Sequence, residues 1–458
     1  MSTEHIHLIG IGGTGMTALA GLLHESGCRV TGSDGALYPP TSTILADLGV
    51  AVYEGFDAAH LDPAPDLVVV GNAISRGNAE VEAVLDGRLR YTSMPRLIHD
   101  RFLIGRHSIV IAGTHGKTTT ASMLAAVLTR AGREPGYLIG GLPHDLERPF
   151  AIGKGPAFVI EGDEYDTAFF DKRAKFVHYR PQTLVLGNLE FDHADIYKDL
   201  DAILWQFHQL LRTIPKSGRI ISNSSDDNLK TLLELGCWSS TESFGIGDGD
   251  EDWTAQFLDA GGRRIAASER GGASAEGSWQ LSGSHNLENA LAAIAAAKSA
   301  GVSLQQAIEA VSRFKGVKRR LERTATVSDV AIYDDFAHHP TAIRRTIAGL
   351  KKRFPGQRIV IALEPRSNTM KLGVHNDTLA ASLKDANLIC MYRPSDLAKN
   401  FDDCLAPLGD RLHLHSDYDE LVADLAAEVQ PGDQVVFMSN GEFGSARQNL
   451  TDALQNRK

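Results

Sequence analysis

The stretch SIVIAGTHGKTTTASMLAAVL, residues 108–128, does most to limit what this chain can fold into. A run rich in β-branched residues stops at a glycine turn, and an apolar-periodic helix follows. A buried strand feeding a helix through a short turn is half of a β-α-β unit, and such units build parallel sheets. The turn carries Gly113, Thr114, His115, Gly116, Lys117, Thr118 and Thr119. These are the parts of a phosphate-binding loop in their usual order, although Gly113 stands nearer to Gly116-Lys117-Thr118 than the common pattern requires. Lys117 can set its ammonium between β- and γ-phosphates, and the Thr118 hydroxyl can ligate Mg²⁺. The segment reads as an ATP site.

The same strand–glycine–helix logic recurs. Residues 7–11 run into Gly12-Gly13-Thr14-Gly15 and a helix from about residue 16 to 26; Gly10, Gly12 and Gly15 form G-x-G-x-x-G. A strand at 28–31 then leads to Gly32-Ser33-Asp34. Such a loop suits NAD or any other diphosphate, and a glycine turn kept only for packing is the ordinary alternative. Further buried strands are predicted at 66–74, 157–163, 183–190, 358–365, 386–392 and 433–439, with a third α/β start near 327–333. An alanine-rich helix at 289–302 ends at Gly301. Residues 237–283, rich in Gly, Ser and Asp, predict strands joined by turns, as in an antiparallel edge or flap. The fold class is α/β in three domains: 1–106 Rossmann-like, 107–318 P-loop ATPase-like with a β-rich edge, and 319–458 Rossmann-like.

Net charge is −11, from 46 basic and 57 acidic side chains, which argues against wholesale nucleic-acid binding. Cys28, Cys237, Cys390 and Cys404 are scattered without a C-x-x-C pair, so reduced core thiols are expected rather than a disulfide scaffold or structural zinc. No apolar stretch approaches the roughly 20 residues of a membrane span, and the amino end lacks a basic leader. The expectation is a cytoplasmic protein without membrane insertion. Monomer and homodimer both stay open.

Two diphosphate loops imply two phosphate ligands, one of them ATP. ATP-driven bond formation then fits better than hydride transfer. EGDEYDTAFFDKR places Glu161, Asp163, Glu164 and Asp166 at a strand end, where carboxylates suit Mg²⁺; a solvated acidic loop is the plain alternative. NLEFDHAD sets His193 among aspartates after another strand.

Taken in order, GIGGTGM, GSD, GNAISRGNAE, AGTHGKTTT, EGDEYD, NLEFDHAD, GSHNLENALAAIA, FKGVKRRLE and YDDFAHHPTAI resemble the Mur ligases, the ATP-dependent amide-forming family of bacterial cell-wall synthesis. The likeness spans essentially the whole chain, and the short phosphate loop is that family's form. Within it, FKGVKRRLE and DDFAHHP are similar to the enzymes that take UDP-N-acetylmuramate itself. EGDEYDTAFFDKRAKFVHYRP and EPRSNTMKLGVH point to the branch that adds the murein tripeptide L-Ala-γ-D-Glu-meso-diaminopimelate in peptidoglycan recycling. The alternative is the branch that adds L-alanine.

The resemblance implies roles. Lys117, Glu164 and His193 would be catalytic; Thr118 and Glu164 would hold a first Mg²⁺, Glu164 and His193 a second. Asn286 and Asn289 would lie near adenine, or only cap the following helix. Arg320 would reach the phosphates and Asp334 or Asp335 the ribose. Gly12, Gly13, Thr14 and Gly15, with Ser33 and Asp34 close by, would hold the UDP diphosphate. His338 and His339 could touch substrate or only pack. Arg366 and Lys371 are the candidates for the tripeptide carboxylates. Several family members carry a carbamylated lysine fourteen or fifteen residues after the histidine of NLEFDHAD. Those positions are Phe207 and His208 here, and Lys198 is too near His193 for the role. A site shared by three domains implies that the third swings in when ligands bind. No residue is singled out as base for the amine.

Overall fold

The structure, a computed structural model, describes residues 3–397 and 401–457. Three large sheets follow one another along the chain, each built mainly on parallel strands, with one small antiparallel hairpin besides. In the first, His5–Ile9 lies centrally between Arg29–Asp34 and Leu67–Val70, with Ala51–Glu54 and Tyr91–Ser93 at the edges. The strand order reverses beside His5–Ile9, so the glycine loop after it opens at a topological switch point, where open α/β sheets bind ligands. Helix Thr14–Glu25 starts within that loop, with Gly13 as its N-cap.

The second sheet positions the site. His107–Ala112 is flanked by Ala157–Gly162 on one side and Thr183–Leu186 on the other, all parallel, with Ala112 opposite both Gly162 and Leu186. Three loops therefore leave the same edge together: the phosphate loop, the acids from Glu161 to Glu164, and the segment from Asn188 to His193. Ile109, Val110 and Ile111 are fully or nearly buried, the continuous apolar run of a strand covered on both faces. Helix Lys117–Arg130 packs on that face beside Ser284–Ser299, whose run of alanines is buried in the same cluster.

The glycine-rich region corrects one expectation. Ser240–Ile246 and Trp253–Phe257 join the main sheet in parallel, and only Arg264–Glu269 and Ser274–Ser278 are antiparallel. The flap is the outer half of an edge that continues the central sheet. In the third sheet, the hairpin of Glu322–Val327 and Val330–Asp335 leads into parallel strands Gln434–Met438, Ile359–Leu363, Leu388–Tyr392 and Leu412–His415. Its turn, Ser328-Asp329, has φ of 51° and 61° and falls where the third start is expected.

Packing ties the domains unequally. Phe150 of the central domain seats on Gly21 of the first, where an added Cβ would stand 2.1 Å from its ring, and one buried apolar cluster runs through both domains. The apolar clusters of the third domain are its own. Among the described residues, no helix is long and apolar enough to cross a membrane.

Candidate active site

The phosphate loop is tight for reasons the sequence hints at. Gly113 and Gly116 have φ of 140° and 83°, a region that favours glycine. A Cβ on Gly113 would lie 2.8 Å from the Asn188 carbonyl oxygen, and one on Gly116 would lie 2.4 Å from Asn289 Oδ1. Asn188 pins the loop, accepting from the His115 amide at 2.8 Å and donating to the His115 carbonyl at 3.0 Å. The open first turn of helix Lys117–Arg130 then faces a cavity of about 540 Å³, with the free amides that helix starts offer to anions.

Ionic groups converge beneath it. Lys117 Nζ donates to the Gly113 carbonyl at 2.6 Å and to both Glu164 oxygens at 2.8 and 3.1 Å. The Thr118 hydroxyl donates to Glu161 at 2.9 Å, and His193 Nε2 lies 3.1 Å from Glu164. Lys175 Nζ donates to Asp163 at 2.6 Å. Burial pushes Glu161 above the usual carboxylate range despite its bonds to Gly140 and Thr118. Burial works the same way on Glu164 and Asp163, but Lys117 and His193 hold the first, and Lys175 the second, below that range. Burial would lower the Lys117 ammonium, yet Glu164, Asp163 and Glu161 hold it above its ordinary value. His193, at φ 57°, is likewise held up by Glu164 against its burial. A hydroxyl, carboxylates and one imidazole are a donor set that fits Mg²⁺.

At the far end of the cavity, Asn286 donates to the Ser282 carbonyl at 2.7 Å, and Asn289 donates weakly to Asn286 at 3.4 Å. His285 Nδ1 is buried without a hydrogen-bond partner, and burial pushes the imidazole down to about 4. Such an orphaned polar atom on the cavity wall suits a heterocyclic ligand. Arg320 crosses from the domain junction to Thr118 Oγ1 at 3.3 Å. Asp335 lines the cavity, accepting from the Thr346 hydroxyl at 2.8 Å. Asp334, one residue earlier on the strand, faces the other way and pairs with Arg447 at 2.5 Å and Arg319 at 3.7 Å, outside the cavity.

The first glycine loop borders both this cavity and a second groove of about 450 Å³, lined by Gly12, Gly13, Asp34, Tyr38 and Asn72 among others. Asp34 accepts from the Gly12 amide at 2.7 Å. Ser33 is a correction: it is fully buried, donates to Glu80 in a cluster with His7 and His60, and lines neither opening. His338 bonds the Phe336 carbonyl at 2.8 Å, and His339 lies 3.5 Å from Glu190. Both His338 and His339 line the cavity. Arg366 and Lys371 do not; Arg366 is exposed and Lys371 pairs with Asp396 at 2.7 Å.

Phe207 packs edge-on against Phe176, and His208 stacks on Trp238. Besides Lys117, the lysine that reaches the acids is Lys175, brought back by the hairpin of Asp166–Ala168 and Asp171–Ala174. No spacing in the sequence marks it, because only that hairpin folds it onto Asp163. Asp166, grouped with the acids by sequence, instead pairs with Lys172.

Three family descriptions match successive parts of the chain: "Mur ligase family, catalytic domain" over residues 5–101, "Mur ligase middle domain" over 111–297, and "Mur ligase, glutamate ligase domain" over 319–441. The chain belongs to the Mur ligase family. As a Mur ligase it is an ATP-dependent ligase that works with Mg²⁺. The UDP-N-acetylmuramate–L-alanyl-γ-D-glutamyl-meso-2,6-diaminoheptanedioate ligase of Haemophilus influenzae is 45% identical over 453 residues, 99% of each chain. A murein peptide ligase structure from Psychrobacter arcticus is 43% identical, with TM-score 0.76 over 99% of each chain. The UDP-N-acetylmuramate–alanine ligase structure from Thermotoga maritima is 25% identical, with TM-score 0.80 over 99% of this Mur ligase and 100% of the other. Fit here does not follow identity.

Proposed function

We propose that this ligase joins L-Ala-γ-D-Glu-meso-diaminopimelate to the lactyl carboxylate of UDP-N-acetylmuramate, converting ATP to ADP and phosphate, in peptidoglycan recycling in the cytoplasm. The observation that carries the reading is the end-to-end likeness to ligases named for that tripeptide, at 45% and 46% identity. Residues 1–106 bind the nucleotide substrate, 107–318 bind ATP, and 319–458 bind the peptide.

The lactyl carboxylate attacks the γ-phosphate, giving an acyl phosphate and ADP. The alanine amine of the tripeptide then attacks the acyl carbon, and phosphate leaves. Two anions must meet, so their repulsion is the main obstacle. Lys117 and Arg320 place positive charge along the phosphates, and the loop amides fix them in line. Thr118, Glu164 and His193 would hold two Mg²⁺ ions, which when bound neutralise phosphate and carboxylate oxygens. Asn286, Asn289 and His285 border the base, and Asp335 the ribose. The first glycine loop takes the UDP diphosphate. Arg366 and Lys371 meet peptide carboxylates, and Asp396 beside Lys371 supplies an acid for an amine.

Phosphate release with ATP, Mg²⁺ and UDP-N-acetylmuramate tests the choice of amine. Turnover is expected with the tripeptide and not with L-alanine; the reverse preference would place the chain in the alanine-adding branch.

A further inference from the structure

Strands Leu388–Tyr392 and Leu412–His415 are parallel neighbours at the edge of the third sheet, and Cys390 stands opposite His413 in their register. Side-chain alternation puts His413 and His415 on one face. Helix Tyr418–Glu428 covers that face, with Leu421 and Leu425 in the same apolar cluster as Cys390. Asp424 comes from this helix to meet all three. Its Oδ2 accepts from His413 Nδ1 at 2.6 Å, from His415 Nε2 at 2.9 Å and from Cys390 Sγ at 3.5 Å. The four atoms lie within 4.8 Å of one another.

We infer that Cys390, His413, His415 and Asp424 form a Zn²⁺ site, separate from the active site, that fastens the edge strand and its covering helix to the third sheet. A tetrahedral zinc with bonds of about 2.0–2.3 Å sets its ligand atoms roughly 3.3–3.8 Å apart, so the two Asp424–histidine contacts open and the wider pairs close, an adjustment that side-chain rotation supplies. One sulfur, two imidazole nitrogens and one carboxylate oxygen suit zinc; Mg²⁺, which prefers oxygen, is excluded by the same set. Four protein ligands fill the coordination shell, which marks a structural rather than a catalytic ion. On binding, the Cys390 thiol releases its proton to solvent, and thiolate and carboxylate together balance the charge of the ion. Cys390 is buried, while His413 and Asp424 are 31% and 23% exposed, leaving a path from water. The scattered cysteines argued against structural zinc by spacing alone. Here the partners of Cys390 come from a neighbouring strand and a helix, a grouping that no short motif displays.

Full-length protein freed of any histidine tag and of metal by chelation, then mixed with Zn²⁺ or Co²⁺ in excess Mg²⁺, tests the site. One equivalent of metal should survive gel filtration, Co²⁺ should show a thiolate charge-transfer band, and Zn²⁺ should raise the unfolding temperature. Cys390→Ser should abolish the band. His415→Gln, at a half-buried position that leaves the thiol undisturbed, should weaken binding at least about tenfold. Wild-type protein that retains no metal, or a band that persists in Cys390→Ser, would overturn the proposal.

Discussion

Lys117 and Glu164 hold each other in a buried pair, and the two are needed for different reasons. Lys117→Met removes the cation that screens the phosphates, so turnover should fall about 10²- to 10³-fold. It also leaves Glu164, whose side chain is 3% exposed, with His193 as its remaining charged partner, at about 3 kcal/mol of stability. The double variant Lys117→Met/Glu164→Gln should regain most of that stability in urea melts and none of the turnover. The histidines make a second prediction. Burial holds His285 and His338 near 4, against 6.5 in the unfolded chain. Between those values the unfolded state binds more protons, so stability should fall as pH falls from 6.5 toward 4. His285→Gln should flatten that slope in melts followed against pH. At this scale the sequence showed which residue types carry chemistry but not always which way they point. Ser33 and Asp34, like Asp334 and Asp335, differ by one step along a strand, and one step reverses the face.

Elements were the most legible level. A β-branched run stopped by glycine and followed by an apolar-periodic helix has few ways to fold, and the phosphate loop stands where that pattern puts it. Strand direction at the edge was not legible, because turn-forming residues mark where strands end and long-range pairing decides how they align. Lys175 was hidden for a related reason, since a hairpin rather than a spacing returns it to Asp163. The loop itself gives a sharp prediction. Gly113→Ala and Gly116→Ala each force a side chain into left-handed backbone and into Asn188 or Asn289. Each should cost about 1–3 kcal/mol and weaken ATP binding more than tenfold by calorimetry.

For the whole molecule, the first two domains share an apolar core, whereas the third is joined to the second through polar contacts. These include Thr369 to Asp192 at 3.2 Å, Asn368 to Asp195 at 3.3 Å and Arg345 to Glu288 at 3.3 Å. Polar interfaces yield more readily than apolar ones, so the third domain is the one expected to move when ligands bind. The radius of gyration should shrink when a non-hydrolysable ATP analogue and UDP-N-acetylmuramate are added together, and identical scattering would count against closure. The chemistry is tested most directly by labelling both oxygens of the lactyl carboxylate of UDP-N-acetylmuramate with ¹⁸O and weighing the phosphate released with ATP and the tripeptide. An acyl phosphate requires that each phosphate released carry one labelled oxygen and that label appear only when the tripeptide is present. Unlabelled phosphate accompanying amide formation would contradict it.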